Sequence, residues 1–177
     1  MKKIIVLLIA LLCLYFCNKN KVYAENIIPD SVIRFRVIAN SNTVYDQNIK
    51  IQIRNTLQNE IFKLIKDSNS IENTRNIIKE HQKELYNITN NKLKELGYDN
   101  SFEINYGYNY FPEKIYKGIE YKEGYYESLV VTLGEGNGDN FWCVLFPPLC
   151  LIESNDSSTS EVEYKFFIKE FIKKYLK

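Results

Sequence analysis

Few side chains in this 177-residue chain could perform nucleophilic catalysis, because its single histidine is His81. A Ser-His-Asp or Cys-His site requires a base within hydrogen-bond reach of the nucleophile. His81 follows Ile78 by three residues and precedes Leu85 by four, so it falls at the edge of the apolar stripe of a predicted helix. Nothing local favours a pair of Cys143 with His81. We therefore expect no catalytic residues and predict that the protein is not an enzyme.

Metal and phosphate sites also lack their usual patterns. Two cysteines seven residues apart and one distant histidine do not approach the ligand spacing of a zinc site. The segment GEGNG, residues 134–138, lies between two predicted strands and lacks a following lysine and hydroxyl, so it is not a phosphate-binding loop. We expect no metal and no cofactor. The glycines predict a tight hairpin turn, and the alternative is that Glu135 at its tip is presented to a partner.

Carboxylates offer another route to catalysis, since cleavage of a glycosidic bond needs two of them in different environments. The candidates for a secreted envelope hydrolase are Glu120, Glu123, Glu127 and Glu135. Their predicted positions on exposed strands and turns favour a simpler role, in which the charges keep the surface soluble. A purely structural envelope protein is a further alternative.

Two cysteines, Cys143 and Cys150, lie within the run FWCVLFPPLC. Neighbouring thiols outside the cytoplasm pair more often than they stay free, so these two are candidates for a disulfide. Between them, Pro147 and Pro148 fix φ and withhold amides, which predicts a sharp reversal or an edge strand, with a cis bond as one option. A two-residue turn would not bring the cysteines opposite each other, so a bridge requires a wider loop or a bulge.

The amino-terminal residues have the layout of a secretory signal. Lys2 and Lys3 precede an apolar run from Ile4 to Phe16, and a polar stretch follows that ends in Val22-Tyr23-Ala24, where Ala24 suits a signal peptidase. The run has 13 residues, whereas a membrane-spanning helix needs about 20. We predict a signal peptide at residues 1–24, cleaved after Ala24, and one domain at residues 25–177. The alternative is a retained anchor, with Lys19 and Lys21 as flanking charges.

Net charge argues against two classes of partner. Without the four lysines of residues 1–24 the chain has 19 basic and 22 acidic residues, a net charge of −3. This charge does not attract nucleic acid or an anionic membrane surface. We therefore expect no nucleic-acid partner, and membrane contact only through a partner or an uncleaved signal segment.

The periodicity of the first half predicts a strand followed by helices. The run SVIRFRVIAN from Ser31 to Asn40 is rich in β-branched residues and predicts a strand. Ile49, Ile53, Leu57, Ile61 and Ile65 recur every four residues, which indicates one face of a helix from Val44 to Lys66. A second helix begins after Asp67–Ser70 and ends at Gly97. The two helices should form an antiparallel hairpin that covers one face of a sheet.

The second half predicts strands and then a terminal helix. Residues from Phe102 onward alternate with a period of two, and Gly134 to Asp139 mark the loop of a hairpin of central strands. A polar linker, Asn155–Ser160, precedes a helix from Glu161 to Lys177. The order of elements predicts an α+β domain: an antiparallel sheet of about four strands, with the helical hairpin and the C-terminal helix packed mostly on one face.

Polar residues are concentrated where the first strand meets the first helix. Asn40 and Ser41 are placed to cap the helix, and Asp46 favours its amino end. The simpler interpretation is a capped helix with solvated ion pairs. The alternative is a docking surface, with Trp142 as an aromatic anchor. The partner-binding candidates are Arg36, Asn40, Ser41, Asp46, Gln47, Lys50, Arg54, Glu135 and Trp142.

Two blocks, IRFRVIANSNTVYDQNIKIQIRN and LGEGNGDNFWCVLFPPLC, resemble the stage II sporulation protein R family of endospore-forming bacteria. With the export signal and the elements between the blocks, the resemblance spans nearly the whole chain. One departure is Phe141, where the family pattern has the first of two consecutive tryptophans.

The resemblance implies a signalling protein that the forespore secretes into the space between the forespore and mother-cell membranes. There it would activate a membrane-embedded aspartic protease, which removes the leader from a precursor of the early mother-cell sigma factor. The resemblance assigns no binding residues, so the docking candidates rest on polarity and position.

Overall fold

The structure is a computed structural model that describes residues 31–116, 119–150 and 173–174. The predicted signal peptide, residues 1–24, and the predicted linker, residues 155–160, lie outside the described residues. The predicted terminal helix, residues 161–177, also lies outside them apart from residues 173–174, which are helical.

Helix α1 spans Val44–Ile65, close to the predicted bounds. Its apolar stripe is buried as predicted, at Ile49, Ile53, Leu57, Ile61 and Ile65. The predicted capping by Asn40 and Ser41 is wrong, because the cap residue is Thr43, whose hydroxyl accepts a hydrogen bond from the amide of Asp46 at 3.2 Å. Asn40 and Ser41 lie too far ahead of the helix to reach its first amides, and they bond to the Asp46 side chain instead.

The predicted second helix is divided in two by His81. Helix α2 spans Ile71–Glu80, and helix α3 spans Gln82–Glu95. At His81 the backbone leaves helical geometry, with φ −97° and ψ 9°. The imidazole Nδ1 lies 2.8 Å from the carbonyl oxygen of Ile77, which also accepts the amide of His81. The histidine therefore terminates a helix rather than lying in the middle of one.

The strands form a four-stranded sheet and a separate two-stranded hairpin. The sheet consists of β1 (Ile33–Ile38), β2 (Phe102–Phe111), β5 (Gly124–Leu133) and β6 (Asn140–Phe146), in the order β2-β5-β1-β6. The small hairpin pairs β3 (Lys114–Tyr116) with β4 (Ile119–Tyr121). This arrangement confirms the predicted α+β class and the number of strands in the main sheet.

One pair of strands differs from the expected antiparallel sheet. Strand β1 lies between β5 and β6, antiparallel to β6 and parallel to β5, so the sheet is mixed. The predicted hairpin at residues 134–139 is therefore wrong, because the strands that this loop joins do not pair with each other. The glycines do adopt the expected positive φ, 55° at Gly134 and 66° at Gly136. The loop passes over the end of β1, and this crossing brings residues 134–139 against residues 39–42.

The two faces of the sheet bury different side chains. On one face Phe35, Val37 and Leu129 pack against the apolar stripe of α1 and form the main core. On the other face a smaller cluster contains Phe111, Tyr126 and Val130, with the partly buried Ile38 and Trp142 packed against it. Arg34 and Arg36 also lie on this second face, since side chains alternate along β1. We call this second face the outer face.

Candidate functional site

The polar corner after β1 is organised around the carboxylate of Asp46, which is only 6% exposed. Asp46 Oδ2 accepts hydrogen bonds from Asn40 Nδ2 at 3.0 Å and from Ser41 Oγ at 2.5 Å. The Ser41 hydroxyl lowers the pKa of Asp46 most, burial opposes this shift, and Asn40 and Thr43 lower the pKa further. The carboxylate is thus ionised at neutral pH and fixes the chain between strand and helix.

Gln47 and Lys50 extend this network along α1. Gln47 Nε2 donates to the Ser41 carbonyl oxygen at 2.9 Å and to Asn42 Oδ1 at 3.1 Å. Lys50 Nζ donates to Gln47 Oε1 at 2.5 Å and to the carbonyl oxygen of Asp139 at 2.9 Å. The second bond links the helix to the loop between β5 and β6.

Four further hydrogen bonds join the corner to that loop. The backbone amide of Glu135 donates to Asn40 Oδ1 at 3.0 Å, and the amide of Asp139 donates to Asn42 Oδ1 at 2.7 Å. The amides of residues 137 and 138 donate to the carbonyl oxygens of residues 40 and 39, at 3.0 and 2.9 Å. We call the residues 39–50 and 134–139 together the corner unit.

Glycines in the loop permit this close approach. A Cβ built on Gly138 would overlap the backbone carbonyl of Ser41 and lie 2.9 Å from the Ala39 Cβ. A Cβ on Gly134 would overlap the side-chain amide of Asn40. Asn42, Asp139 and these two glycines were not among the predicted site residues, although the NSN and GEGNGD runs contain the polar and glycine pattern of such a junction.

The structure thus brings together five of the predicted candidates, Asn40, Ser41, Asp46, Gln47 and Lys50, with the backbone of Glu135. Their polar atoms bond mainly to one another and to the loop, so most of this cluster supports the fold. The side chain of Glu135 is exposed, and only its amide belongs to the network. The solvated ion pairs expected at Asp46, Lys50 and Arg54 are replaced by hydrogen bonds to hydroxyl, amide and carbonyl groups. Further along α1, Glu60 and Lys63 do form an exposed ion pair.

The remaining candidates lie on or beside strand β6. Trp142 pairs with Arg36 across the β1–β6 register, and the Arg36 guanidinium lies 5.6 Å from the indole ring. Burial lowers the pKa of Arg36, whose Nη1 donates to the Tyr110 carbonyl oxygen at 3.2 Å. Lys114 Nζ lies 4.9 Å from the Trp142 ring centroid, which is within cation–π distance.

Arg54 stands on the other side of β6. Its guanidinium lies 4.9 Å from the ring of Phe141, and its Nε and Nη2 donate to Asn55 Oδ1. Phe141 itself packs edge-on against Phe35 of the core, with ring centroids 6.2 Å apart. Strand β6 is therefore flanked by cations on both faces of the sheet.

Cys143 and Cys150 are joined by a disulfide, with their Cα atoms 5.4 Å apart. The reversal between them contains a cis peptide bond between Phe146 and Pro147. Strand β6 extends to Phe146, so the bridge spans the end of the strand and the wider turn that follows. Cys143 and Leu149 border a cavity of about 130 Å³ on the outer face.

A partly buried ion pair that the sequence did not indicate holds α2 against the sheet. Arg75 Nε and Nη2 donate to the two carboxylate oxygens of Glu127, at 2.6 and 2.9 Å, and Tyr106 donates to the same carboxylate at 2.7 Å. Glu127 is only 8% exposed, so its predicted role as a solvated charge is wrong. Glu123 accepts from the hydroxyl of Tyr110 at 3.1 Å. Both carboxylates are thus bonded to side chains of the protein.

Within the part of the chain that the structure describes, no group of three or more histidine, cysteine, aspartate or glutamate side chains could hold a metal ion. No helix of those same residues combines the length and apolar character that a membrane span requires.

The amino-acid sequence of the chain matches a known family. A sequence model of the family described as stage II sporulation protein R matches residues 29–156, which is more than half of the chain. The chain belongs to the stage II sporulation protein R family. A relative named stage II sporulation protein R from Bacillus subtilis (strain 168) is 38% identical over 151 residues, which are 85% of this chain and 67% of the relative. No solved structure shows a significant match.

Membership of the stage II sporulation protein R family confirms the resemblance and assigns the protein a role in sporulation. Both blocks that carry the resemblance contribute to the corner unit, one with residues 39–50 and the other with residues 134–139. The two stage II sporulation protein R blocks thus meet at one structural junction, the corner unit. The surface along β6 lies beside this junction.

Proposed function

We propose that this protein is an exported signal of sporulation that works by binding. The forespore secretes it, by means of residues 1–24, into the space between the forespore and mother-cell membranes. There the folded domain binds the outward-facing part of a membrane-embedded aspartic protease and stabilises its active state. The activated protease then removes the leader from a precursor of the early mother-cell sigma factor.

The observation that carries this proposal is the surface around Trp142. This surface belongs to a protein of a sporulation family. A half-buried aromatic ring with Arg36 and Lys114 beside it has the composition of an interface centre, where tryptophan and arginine are enriched. The ordered corner unit next to it holds β6 in place, so little conformational freedom is lost on binding. Both features favour a binding protein over a hydrolase.

Activation requires only a modest free energy. A ligand shifts an equilibrium by the difference between its affinities for the two states, and a tenfold shift corresponds to about 1.4 kcal/mol. One aromatic anchor and a few charged contacts can supply this amount. The protein therefore needs no bond-making or bond-breaking step of its own.

Co-expression tests the proposal directly. The protease, its precursor substrate and this protein, all from one organism, are produced together in a host that does not sporulate, and cut precursor is quantified by immunoblotting. We expect cutting only when the protease and the exported protein are both present. The matched control is the same chain without residues 2–24, which stays in the cytoplasm. Equal cutting with and without the protein would contradict the proposal.

A further inference from the structure

Strand β6 lies at an edge of the main sheet, and among the described strands it pairs with β1 alone. The opposite side of an edge strand presents backbone N–H and C=O groups that can pair with another strand. Several families of recognition domains use such an edge to bind an extended peptide, whose main chain supplies affinity and whose side chains supply specificity. The edge of β6 therefore has the backbone chemistry of a peptide site.

The cavity beside Trp142 lies on the outer face and follows strand β6. It is lined by five consecutive residues of β6, 140–144, together with Lys114, Leu149 and residues of the outer face. Successive side chains of a strand point to opposite faces. A cavity that touches every residue from 140 to 144 must therefore follow the backbone of the strand. A cavity of about 150 Å³ can hold a benzene molecule, so the 130 Å³ here suits one apolar side chain.

Cations border β6 on both sides. Lys50 and Arg54 belong to α1 on the core side, and Arg36 and Lys114 lie by Trp142 on the outer side. Among the described residues, no carboxylate forms an ion pair with any of these four cations. Burial lowers the pKa of Lys50, the carboxylate of Asp139 opposes the shift, and the charges of Arg54 and Lys114 add to it. The carboxylates of Glu113 and Asp139 also border the cleft beside Trp142 and Lys114. Four cations and two carboxylates therefore lie along β6, which makes this strip net positive on an otherwise acidic domain.

We propose that the edge of β6 binds an extended acidic segment of the membrane partner, which adds to the sheet as a further strand. Its carboxylates contact the cations on both sides of β6, and one apolar side chain enters the cavity beside Trp142. This inference rests on the proposed function and names the surface and the chemistry through which it acts. An extended peptide fits better than a lipid headgroup, because the cavity follows a strand and the cations flank it on two faces.

Charge reversals on the two sides of β6 test this site. Lys114→Glu and Arg54→Glu are compared with Lys83→Glu, which makes the same change in charge on the exposed surface of α3. In the co-expression assay we expect each reversal beside β6 to lower precursor cutting about tenfold, a loss of about 1.4 kcal/mol, and Lys83→Glu to leave it unchanged. Equal cutting by all three variants and the wild type would overturn the site while leaving the proposed function intact. No cutting with the wild type would instead contradict the proposed function.

A binding measurement tests the edge without the cutting step. Synthetic peptides that cover the outward-facing segments of the co-expressed protease are titrated into the full chain, and Trp142, the only tryptophan, reports binding by its fluorescence. We expect an acidic peptide to bind and to protect amides of residues 140–144 from hydrogen exchange. Replacing its carboxylates with amides should abolish both effects. Protection confined to other strands, or binding by none of the peptides, would overturn the inference.

Other occupants of the edge give distinct results. If the chain's own residues 151–177 cover it, Phe166→Ser in the full chain should expose Trp142 to the neutral quencher acrylamide. If a second copy of the chain covers the edge, sedimentation should show a dimer that Lys114→Glu disrupts. If a lipid surface covers the edge, anionic vesicles should bind the wild type and should not bind Lys114→Glu. Each of these results would overturn the inference. Unchanged quenching, a monomer and no vesicle binding would support it.

Discussion

The side-chain oxygen of Asn40 accepts a hydrogen bond from the backbone amide of Glu135, 95 residues further along the chain, at 3.0 Å. The Nδ2 of the same side chain donates to the carboxylate of Asp46 at 3.0 Å. A single amide group therefore connects the start of α1 to the loop that crosses β1. This connection joins two distant runs of polar and glycine-rich sequence in one hydrogen-bond network.

Replacing Asn40 with alanine should destabilise the domain strongly. Asn40→Ala removes one hydrogen bond to a charged group and one to a backbone amide, so we expect the free energy of unfolding to fall by about 2–3 kcal/mol. Urea denaturation measures the change. Asn48→Ala is the matched control, because Asn48 is exposed on α1, and it should change the value little. Equal effects of the two substitutions would contradict the role of Asn40.

Adding a methyl group at Gly138 should force the loop away from the corner. The new Cβ of Gly138→Ala would overlap the Ser41 carbonyl, and overpacking of this kind costs about 1–3 kcal/mol. In Gly107→Ala the nearest atom would be 3.7 Å away, an ordinary contact, which makes it the control. Thermal unfolding should separate the two variants. If both unfold at the same temperature, the close approach of loop and corner is not needed for stability.

The local features of the fold could be predicted from the sequence, whereas the neighbours of each strand could not. A repeat of four residues places Ile49 to Ile65 on one helix face whatever the tertiary structure is. The position of β1 between β5 and β6 depends instead on contacts between residues about 100 positions apart. Strand periodicity carries no information about such pairing, so the sequence suggested a simple hairpin.

The same distinction applies to the candidate site. Polarity and position picked out Asn40, Ser41 and Asp46, because cap-forming residues before a helix are a local signal. The pair of Arg75 and Glu127 was missed, since a helix residue and a strand residue 52 positions apart share no sequence pattern. Lys114 was missed for a related reason: it lies 4.9 Å from the ring of Trp142, but it belongs to a different strand and shares no sequence pattern with that residue.

Stability should fall in acid because of two carboxylates. Hydrogen bonds lower the pKa of Asp46, chiefly the one from Ser41, against the effect of burial. Burial raises the pKa of Glu127, but the bonds from Arg75 and Tyr106 outweigh it, so this pKa also lies below its usual value. In the unfolded chain the pKa is about 3.9 for aspartate and 4.3 for glutamate. The stabilisation is therefore complete above about pH 4.5, and it is lost as the pH falls through the lower pKa values of the folded state.

The urea midpoint measured from pH 7 to pH 2.5 checks this dependence. We expect the wild type to lose stability below about pH 4.5. The double variant Asp46→Asn, Glu127→Gln should be less stable than the wild type at pH 7, but its stability should depend less on acid. Glu95→Gln, which changes an exposed surface ion pair, serves as the control. Parallel curves for the double variant and the wild type would show that these carboxylates do not govern acid unfolding.

The disulfide should stabilise the end of β6. A loop as short as that between Cys143 and Cys150 contributes about 2–3 kcal/mol in the chain-entropy treatment. The double variant Cys143→Ala, Cys150→Ala should lose this amount in urea denaturation and should not respond to reductant. Mass measurement of alkylated native protein with and without reductant gives an independent check. Two thiols that react without reductant would mean that the native protein lacks the bridge.

The central claim is that the protein acts as a ligand beyond the membrane of the cell that makes it. The most direct test deletes the gene in the native organism and supplies either the full chain or the chain without residues 2–24 from a forespore promoter. Immunoblotting of the sigma-factor precursor after the asymmetric septum has formed is the readout. We expect uncut precursor in the deletion strain, restored cutting with the full chain, and none with the shortened chain. Equal restoration by both chains, or normal cutting in the deletion strain, would contradict the account.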